Sequence, residues 1–172
     1  MSKRILVYGF GPYGAFPYNI TARILKTLPR QPGLTKRVFP VRFNRQQFVD
    51  ALRRAKPDII LGLGQSSRQG IEIESRGVNH RRPDRSAKRR AIFAREPKQL
   101  ATTFKIKPGR WSRISRNAGD YVCNYSIYVL LREIKQQKLA ARLAFIHIPH
   151  DYNLKKARKF IRHLLRQCET EK

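Results

Sequence analysis

Short apolar runs alternate with segments of helical periodicity in the first third of the chain. Lys3–Tyr8, Lys36–Val41 and Asp58–Gly64 have the length and apolar content of strands. Between them, Asn19–Leu28 and Arg45–Ala55 carry apolar residues at helical spacing. This alternation predicts a parallel sheet whose strands are connected by helices.

The rest of the chain is less regular but ends with the same alternation. A helix is predicted after Gly119, and Asn153 is placed to cap a last helix. The other predicted segments are a strand-like run at Gly70–Asn79, a long loop at His80–Lys98, and strands at Leu100–Ile106 and Arg142–Ile148. We therefore predict an α/β fold with three layers, α/β/α, around a mostly parallel twisted sheet, in a single domain over residues 1–172.

The ends of the chain and its cysteines indicate a compartment. The apolar start is too short for a signal segment, and no run approaches the ~18 apolar residues of a membrane span. The two cysteines, Cys123 and Cys168, are too few for a disulfide framework and are ordinary in a reducing environment. We predict a cytoplasmic protein with no membrane partner.

Positive charge is the unusual feature of the composition. The chain has 38 Lys and Arg against 11 Asp and Glu, a formal net charge of +27. Thirteen of these cations lie between Arg81 and Arg116, where only Asp84 and Glu96 oppose them. The loop-rich segment at about residues 80–117 is therefore a candidate for polyanion contact. A solvated basic face without a partner explains the same composition, and the few aromatic residues there favour base stacking only weakly.

One glycine pattern suggests a dinucleotide site, but its context does not. The segment Gly9–Gly14 satisfies G-x-G-x-x-G directly after a predicted strand. Phe16 and Pro17 follow where a helix should begin, and no acidic residue precedes Asp50 to bind a ribose. The bulky residues of this loop suit a flat, neutral ligand better than a pyrophosphate. We predict no cofactor and no metal site.

Two residues with complementary chemistry, Cys123 and His147, are predicted to meet at one edge of the sheet. Cys123 lies in the first turn of a helix and His147 at the end of the next strand, which is the edge where open α/β sheets bind ligands. A thiol there feels the positive end of the helix dipole, and the imidazole can take its proton. Free amides at the helix start could also hold an oxyanion. The pattern indicates a cysteine nucleophile, although a cysteine on an apolar helix face is also compatible with core packing.

A nucleophile and its base need a third group that orients the base. Carboxylates are scarce in this chain, and four remain candidates for that role: Glu72, Glu74, Asp120 and Asp151. Cys168 lies on the apolar stripe of the last helix and is predicted to be part of the core.

Five segments resemble the pyroglutamyl peptidase I family of cysteine peptidases, and they occur in the family's order. They are Ile5–Gly14, Phe16–Asn19, Pro57–Gln65, Ala118–Tyr125 and Phe145–Pro149. The resemblance implies a thiol exopeptidase that hydrolyses the amide bond after an N-terminal pyroglutamyl group. Its substrate would be a peptide with a blocked N-terminus.

The resemblance also implies roles for individual residues. Cys123 matches the family nucleophile, His147 its base and Glu74 its acid. Four further residues would bind the lactam of the substrate: Phe10, Tyr13, Asn19 and Gln65. In this arrangement the two aromatic rings clamp the lactam, while Asn19 and the chain near Gln65 bond its amide.

Three departures from the family pattern leave the activity open. Ser75 stands where the family usually has arginine, and Ser66–Arg68 replaces a glycine-rich continuation. Pro108–Asn117 is shorter than its family counterpart, which leaves the way subunits associate open. A homo-oligomer is one of the expected states. The alternatives are a peptidase or amidase for another small acyl group, and a catalytically impaired member that binds nucleic acid or another polyanion.

Overall fold

The computed structural model describes residues 3–84 and 86–170, which form eight strands and four helices. The strands are β1 (Ile5–Phe10), β2 (Leu34–Phe39), β3 (Ile59–Ser66), β4 (Ile71–Glu74), β5 (Arg76–Val78), β6 (Gln99–Ala101), β7 (Ser112–Ser115) and β8 (Arg142–Pro149). The helices are α1 (Ile20–Thr27), α2 (Arg45–Ala55), α3 (Val122–Gln136) and α4 (Leu154–Thr170).

Six strands form one sheet in the order β2-β1-β3-β8-β4-β7, while β5 and β6 pair separately. β1, β2, β3 and β8 are parallel to one another, whereas β4 runs antiparallel to β8 and parallel to the edge strand β7. The reversal at β4 has a simple cause, because Ser67–Gly70 is far too short for the crossover that a parallel return requires.

Helices cover both faces of the sheet, since strand residues alternate between the two sides. One core contains Val7 and Leu61 together with Ile24 of α1 and Ile161 of α4. The other contains the neighbouring strand residues, among them Tyr8, with α2 and α3 above them. The predicted single-domain, three-layer α/β/α fold with a mostly parallel sheet is confirmed. No helix among the described residues is long and apolar enough to cross a membrane.

The predicted boundaries are least accurate between residues 70 and 117. The run predicted at Gly70–Asn79 is divided at Ser75, whose amide and hydroxyl both donate to the Ser115 carbonyl. The prediction of a strand at Leu100–Ile106 is wrong beyond Ala101. The following residues are not paired in a sheet, and Phe104 is buried in the core.

Other strands also differ from prediction, since β1 is Ile5–Phe10 instead of Lys3–Tyr8 and β3 is Ile59–Ser66 instead of Asp58–Gly64. β7 was not predicted, because its sequence, Ser-Arg-Ile-Ser, lacks an apolar alternation and lies on a sheet edge. β2 lies two residues earlier than the predicted Lys36–Val41, and Pro40, which has no backbone N–H, follows its last residue.

Candidate active site

Cys123 is the second residue of α3, at the helix end that faces the carboxyl edge of the parallel strands. The first backbone bond of this helix runs from the Tyr125 amide to the Tyr121 carbonyl at 3.0 Å, and Tyr121 provides no side-chain cap. The amides of Val122, Cys123 and Asn124 therefore precede the helical ladder and remain available as donors. The start of α3 is a set of oriented dipoles around a thiol.

The first turn of α3 is fixed by hydrogen bonds on both sides. The buried Asn124 side chain accepts from the Val78 amide at 2.8 Å and donates to the carbonyls of Val78 and His80, also at 2.8 Å. Ser126 Oγ donates to the Cys123 carbonyl at 2.8 Å and lies 2.9 Å from the buried Tyr8 hydroxyl. These contacts hold the thiol in place without using it.

His147 lies on β8 between β3 and β4, and its ring occupies space that a glycine leaves open. In the sheet register His147 is opposite Gly64 on one side and Glu72 on the other. A Cβ added to Gly64 would lie 2.8 Å from His147 Nε2, closer than real Cβ atoms approach a neighbour. Gly64 therefore leaves the space that the His147 ring occupies.

Glu74 fixes the orientation of the His147 ring. The distance from His147 Nδ1 to Glu74 Oε1 is 2.7 Å, and Glu74 is fully buried. With the carboxylate ionised, Nδ1 carries the proton and donates it to Oε1, which leaves Nε2 for the thiol of Cys123. The structure thus brings Cys123, His147 and Glu74 into one chain of contacts, as the predicted site requires.

The environment of His147 favours its protonated form. Burial of the ring opposes the charge, but the adjacent Cys123 thiolate and then Glu74 outweigh burial and raise the pKa of His147 from 6.5 to about 9. At neutral pH the imidazole is therefore protonated and is a proton donor beside the sulfur of Cys123. A thiolate and imidazolium pair is the reactive form of a cysteine nucleophile.

The other three candidate carboxylates have different partners. Glu72 binds Arg68 Nη1 at 3.0 Å and Arg113 Nη2 at 2.8 Å, and although its burial opposes ionisation, these two guanidinium groups lower its pKa. Asp120 binds Arg82 and Arg89, both at 2.9 Å, instead of the start of α3. Asp151 is exposed in the turn after β8.

One cluster has the residue types of a metal site, but its carboxylates already have other partners. Single ligand atoms of Glu72, Glu74 and His147 lie within 4.8 Å of one another. The Glu72 oxygens are bound by the guanidinium groups of Arg68 and Arg113, and Glu74 is bonded to His147. A cation at this place would meet two positive charges, so the cluster acts as an ion-pair network beside the imidazole.

A pocket of about 560 Å³ opens above Cys123, a size suited to a small ligand. Six of the predicted site residues line it: Phe10, Tyr13, Asn19, Gln65, Cys123 and His147. Phe10 is buried in its floor, and Tyr13 stands at its side against Phe16, with ring centroids 5.4 Å apart. The loop that carries the glycine pattern forms an aromatic wall.

The two predicted amide residues are used differently. Asn19 accepts from the Thr21 amide at 3.0 Å and donates to the Gly11 carbonyl at 3.1 Å, so it caps α1 and holds the aromatic loop. Gln65 Oε1 accepts from the Ile20 amide at 2.9 Å, whereas its buried Nε2 has no hydrogen-bond partner of proper geometry among the described residues. A buried donor without a partner is costly, and here it lines the pocket.

The Tyr13 hydroxyl lies close to the same Gln65 amide. Burial and the negative charge at Cys123 raise the pKa of Tyr13, and the approach of Gln65 only partly opposes them. Tyr13 therefore stays protonated and is a second donor beside the thiol.

Sequence reasoning missed part of the pocket wall. Tyr121, which lines the pocket, packs against Tyr13 with ring centroids 6.4 Å apart. Arg82 and Asp84 reach the pocket from the loop after β5, where Arg82 pairs with Asp120. The proximity of Tyr121 to Cys123 in the sequence was a usable signal, whereas nothing in the basic loop indicated which of its residues would turn inward.

A buried carboxylate, imidazole and helix-start thiol beside a pocket are typical of hydrolases that use a cysteine nucleophile. Comparison with known proteins agrees, because the family model for pyroglutamyl peptidase matches residues 3–156. The chain belongs to the pyroglutamyl peptidase family. The family predicted from the sequence motifs is confirmed, and with it the enzyme class, an exopeptidase.

Individual relatives show the extent of the similarity. The chain is 32% identical over 169 residues to the pyrrolidone-carboxylate peptidase of Brevibacillus brevis, covering 86% of this chain and 79% of the relative. It is 32% identical over 168 residues to the pyrrolidone-carboxylate peptidase of Pyrococcus furiosus, covering 86% of this chain and 81% of the relative. The crystal structure of pyroglutamyl peptidase I from Bacillus amyloliquefaciens aligns with a TM-score of 0.84 at 25% identity, covering 94% of this chain and 92% of the other.

Proposed function

We propose that this protein hydrolyses the amide bond after an N-terminal pyroglutamyl group, with Cys123 as nucleophile, His147 as acid and base, and Glu74 as the residue that orients His147. The observation that carries the proposal is the 2.7 Å contact between Glu74 and His147, whose other nitrogen faces a thiol at a helix start. In this arrangement the carboxylate orients the imidazole, and the imidazole activates the thiol.

In the first step the Cys123 thiolate attacks the pyroglutamyl carbonyl carbon and forms a tetrahedral adduct. Its oxyanion lies near the amides at the start of α3, which need no rearrangement to donate to it. The His147 imidazolium then gives its Nε2 proton to the leaving amine as the C–N bond breaks. The shortened peptide departs, and a thioester on Cys123 remains.

In the second step a water molecule cleaves the thioester. Neutral His147 takes a proton from the water through Nε2, and the hydroxide adds to the acyl carbon. Collapse of the adduct releases pyroglutamate and restores the thiolate. Glu74 accepts the hydrogen bond from Nδ1 and stabilises the imidazolium in both steps.

The pocket suits a flat, neutral ring. Phe10 and Tyr13 supply apolar and aromatic surface, and the unpaired Nε2 of Gln65 is a donor for the lactam carbonyl. Asn19 acts indirectly in this proposal, because its hydrogen bonds to Thr21 and Gly11 hold the loop that presents Tyr13. We place the reaction in the cytoplasm, since neither Cys123 nor Cys168 is in a disulfide in the described part of the chain.

The departures from the family pattern bear on the choice of acyl group. Ser75, in place of arginine, is used in a structural contact with Ser115, while Ser66, Ser67 and Arg68 line the pocket. These three residues are where a different small acyl group would be accommodated. The intact Cys123, His147 and Glu74 contacts favour a working peptidase over an impaired, polyanion-binding member of the family.

The test is hydrolysis of pyroglutamyl p-nitroanilide, with alanyl p-nitroanilide as the substrate control. Cys123→Ser should lower kcat/KM by at least about 10³-fold with the fold intact, since only the nucleophile is removed. The matched control, Cys168→Ala, changes a buried thiol in α4 and should stay within a few-fold of the unmodified protein.

Alkylation gives a readout that does not depend on the substrate. Iodoacetamide at neutral pH should modify Cys123 rapidly and the buried Cys168 slowly, and His147→Ala should slow the reaction of Cys123. Preferential cleavage of another acyl amide would support the alternative acyl group. An unreactive Cys123 in folded protein, with no cleavage of either amide, would contradict the whole mechanism.

A further inference from the structure

Helix α4 carries a continuous row of positive charge on the side that faces away from the core. Its buried stripe consists of Ala157, Ile161, Leu164, Leu165 and Cys168. Five cations occupy the opposite side and Arg158 lies at the border of the stripe; together they are called the basic face below: Lys155, Lys156, Arg158, Lys159, Arg162 and Arg166. All are exposed except the half-buried Arg158. From Lys155 to Arg166 the face extends about 16 Å at the rise of an α-helix.

No ion pair between described residues involves the basic face. The single acid among the described residues of α4, Glu169, accepts a hydrogen bond from Gln31 at 2.6 Å. Helix α1 packs beside α4 and adds Arg23 and Lys26, and no acidic residue occurs before Asp50 in the chain. Asp151, in the turn before α4, is exposed and forms no ion pair with these cations, so within the described residues the positive charge of this face is unpaired.

This arrangement works against the stability of α4. Lys155, Lys156, Arg158 and Lys159 lie in the first turns, next to the positive end of the helix dipole, where acidic residues are favoured. Lys155 and Lys159, or Arg162 and Arg166, are like charges four residues apart on one side of the helix and repel each other. Unfavourable local choices without a compensating contact are expected at functional surfaces.

Part of the positive charge in the loop predicted to bind polyanions is already paired within the protein. Arg82 and Arg89 are paired with Asp120, and Arg113 is paired with Glu72. Each pairing reduces the charge that this segment can offer a partner. The basic face of α4 also consists of Lys and Arg, and none of them is in an ion pair between described residues.

The surroundings of the basic face narrow the choice of polyanion. Insertion of a helix into a bilayer needs exposed apolar side chains, but the apolar stripe of α4 is buried in the core, so only charge attraction to anionic lipids remains there. The exposed large apolar residues of the described chain are Tyr18, Val38, Trp111, Ile114, Tyr121 and Leu139, none of them on α4. The basic face also has no exposed Phe, Tyr or Trp side chain on which single-stranded bases could stack. Charge alone is sufficient to bind the phosphates of a duplex.

We propose that the basic face of α4 binds the phosphate backbone of a nucleic-acid duplex without sequence preference. The site is separate from the pocket above Cys123, because no residue of α4 lines that pocket. It does not depend on the peptidase mechanism. DNA and RNA duplexes share the chemistry that is recognised, and the experiment separates them.

Fluorescence anisotropy with labelled 20-base-pair DNA and RNA duplexes tests the proposal across a range of NaCl concentrations. Six phosphate contacts predict that log K falls with log[NaCl] with a slope of about −5. The variant K155Q/K159Q/R162Q/R166Q removes four of them and should reduce the slope by about 3 to 4, which corresponds to an affinity loss of roughly 10³- to 10⁴-fold at 0.1 M salt when the two lines converge near 1 M. The more tightly bound duplex identifies the source of the phosphates.

A matched control separates the basic face from total charge. K88Q/R90Q/K98Q/K107Q removes the same number of charges from exposed positions of the 80–117 segment and should leave the slope within about 1 of the parent value. Circular dichroism should show both variants folded, with the α4 variant at least as thermally stable as the parent. Equal losses in both variants, no duplex binding at 50 mM salt, or tighter binding to phosphatidylglycerol vesicles than to either duplex would overturn the proposal.

Discussion

At the scale of single residues, the candidate site depends on what surrounds each reactive group. Gly64 leaves the space in which the His147 ring lies, and Glu74 sets which nitrogen of that ring carries a proton. Cys123 contributes both a nucleophile and the negative charge that keeps His147 protonated. The state of the base therefore depends on the nucleophile, and this coupling can be measured.

Replacing the thiol should shift the titration of His147. Burial lowers the pKa of the ring, and the Cys123 thiolate is the largest of the effects that raise it to about 9, so Cys123→Ser should bring the pKa of His147 well below 9. The imidazole signals in NMR spectra, assigned with His147→Gln, report it directly. Cys168→Ala is the control that should leave the titration unchanged, and the same midpoint in Cys123→Ser would contradict the coupling.

The same shift has a consequence for stability with a definite sign. The folded-state pKa of His147 is raised from 6.5 to about 9, so its stabilising contribution is complete below about pH 6.5 and is lost as the pH rises through 9. The difference in free energy of unfolding between the parent and His147→Gln should therefore shrink between these values. A difference that grows with pH would contradict the assignment.

At the scale of elements, strand β4 places two carboxylates on one face with different functions. Glu72 and Glu74 are two residues apart and point to the same side, yet one contacts arginines and the other the imidazole. The antiparallel return after β3 brings β4 beside β8, so the site requires the reversal in the sheet.

Conservative substitutions should separate the two carboxylates. Glu74→Gln removes the charge that orients and stabilises His147 and should lower kcat by about 10²- to 10⁴-fold with little change in KM. Glu72→Gln weakens contacts to Arg68 and Arg113 and should lower the free energy of unfolding by about 1–3 kcal/mol while kcat stays within a few-fold. Steady-state kinetics and urea unfolding of both variants provide the comparison. Equal kcat values for the two would remove Glu74 from the mechanism.

Elements with a strong local pattern could be predicted from the sequence, and those held by tertiary contacts could not. Asn19 and Asn44 cap α1 and α2, and the apolar strand β3 lies within one residue of the predicted start and two of the predicted end. β7 was missed because its partner, β4, supplies the pairing that its own polar residues do not encode. The unpaired amide of Gln65 and the space above Gly64 depend on neighbours distant in sequence. These features become visible only when the strands are assembled.

At the scale of the whole molecule, charge is distributed very unevenly. Acidic residues concentrate in ion pairs around the site and α3, such as Arg45 with Glu133 and Arg132 with Glu96, whereas α1 and α4 have almost none. An excess of 27 positive charges on 172 residues opposes the compact state by self-repulsion. The protein tolerates this cost over a surface that has no part in the pocket.

Added salt should therefore stabilise the protein. Ionic strength screens the repulsion among unpaired cations, with a Debye length of about 30 Å at 0.01 M and about 10 Å at 0.1 M. It also weakens partly exposed ion pairs such as Arg4 with Asp58, but each of these contributes only about 0–1 kcal/mol, less than the summed repulsion. We expect Tm to rise by at least about 3 °C between 10 mM and 300 mM NaCl, which corresponds to about 1 kcal/mol for a chain of this size.

K155Q/K159Q/R162Q/R166Q should start from a higher Tm at low salt and gain less, because part of the repulsion is already gone. Differential scanning calorimetry of both proteins in NaCl and in KCl measures the effect, and a Tm that falls with salt in both would show that ion pairs, not repulsion, dominate the electrostatics of the fold.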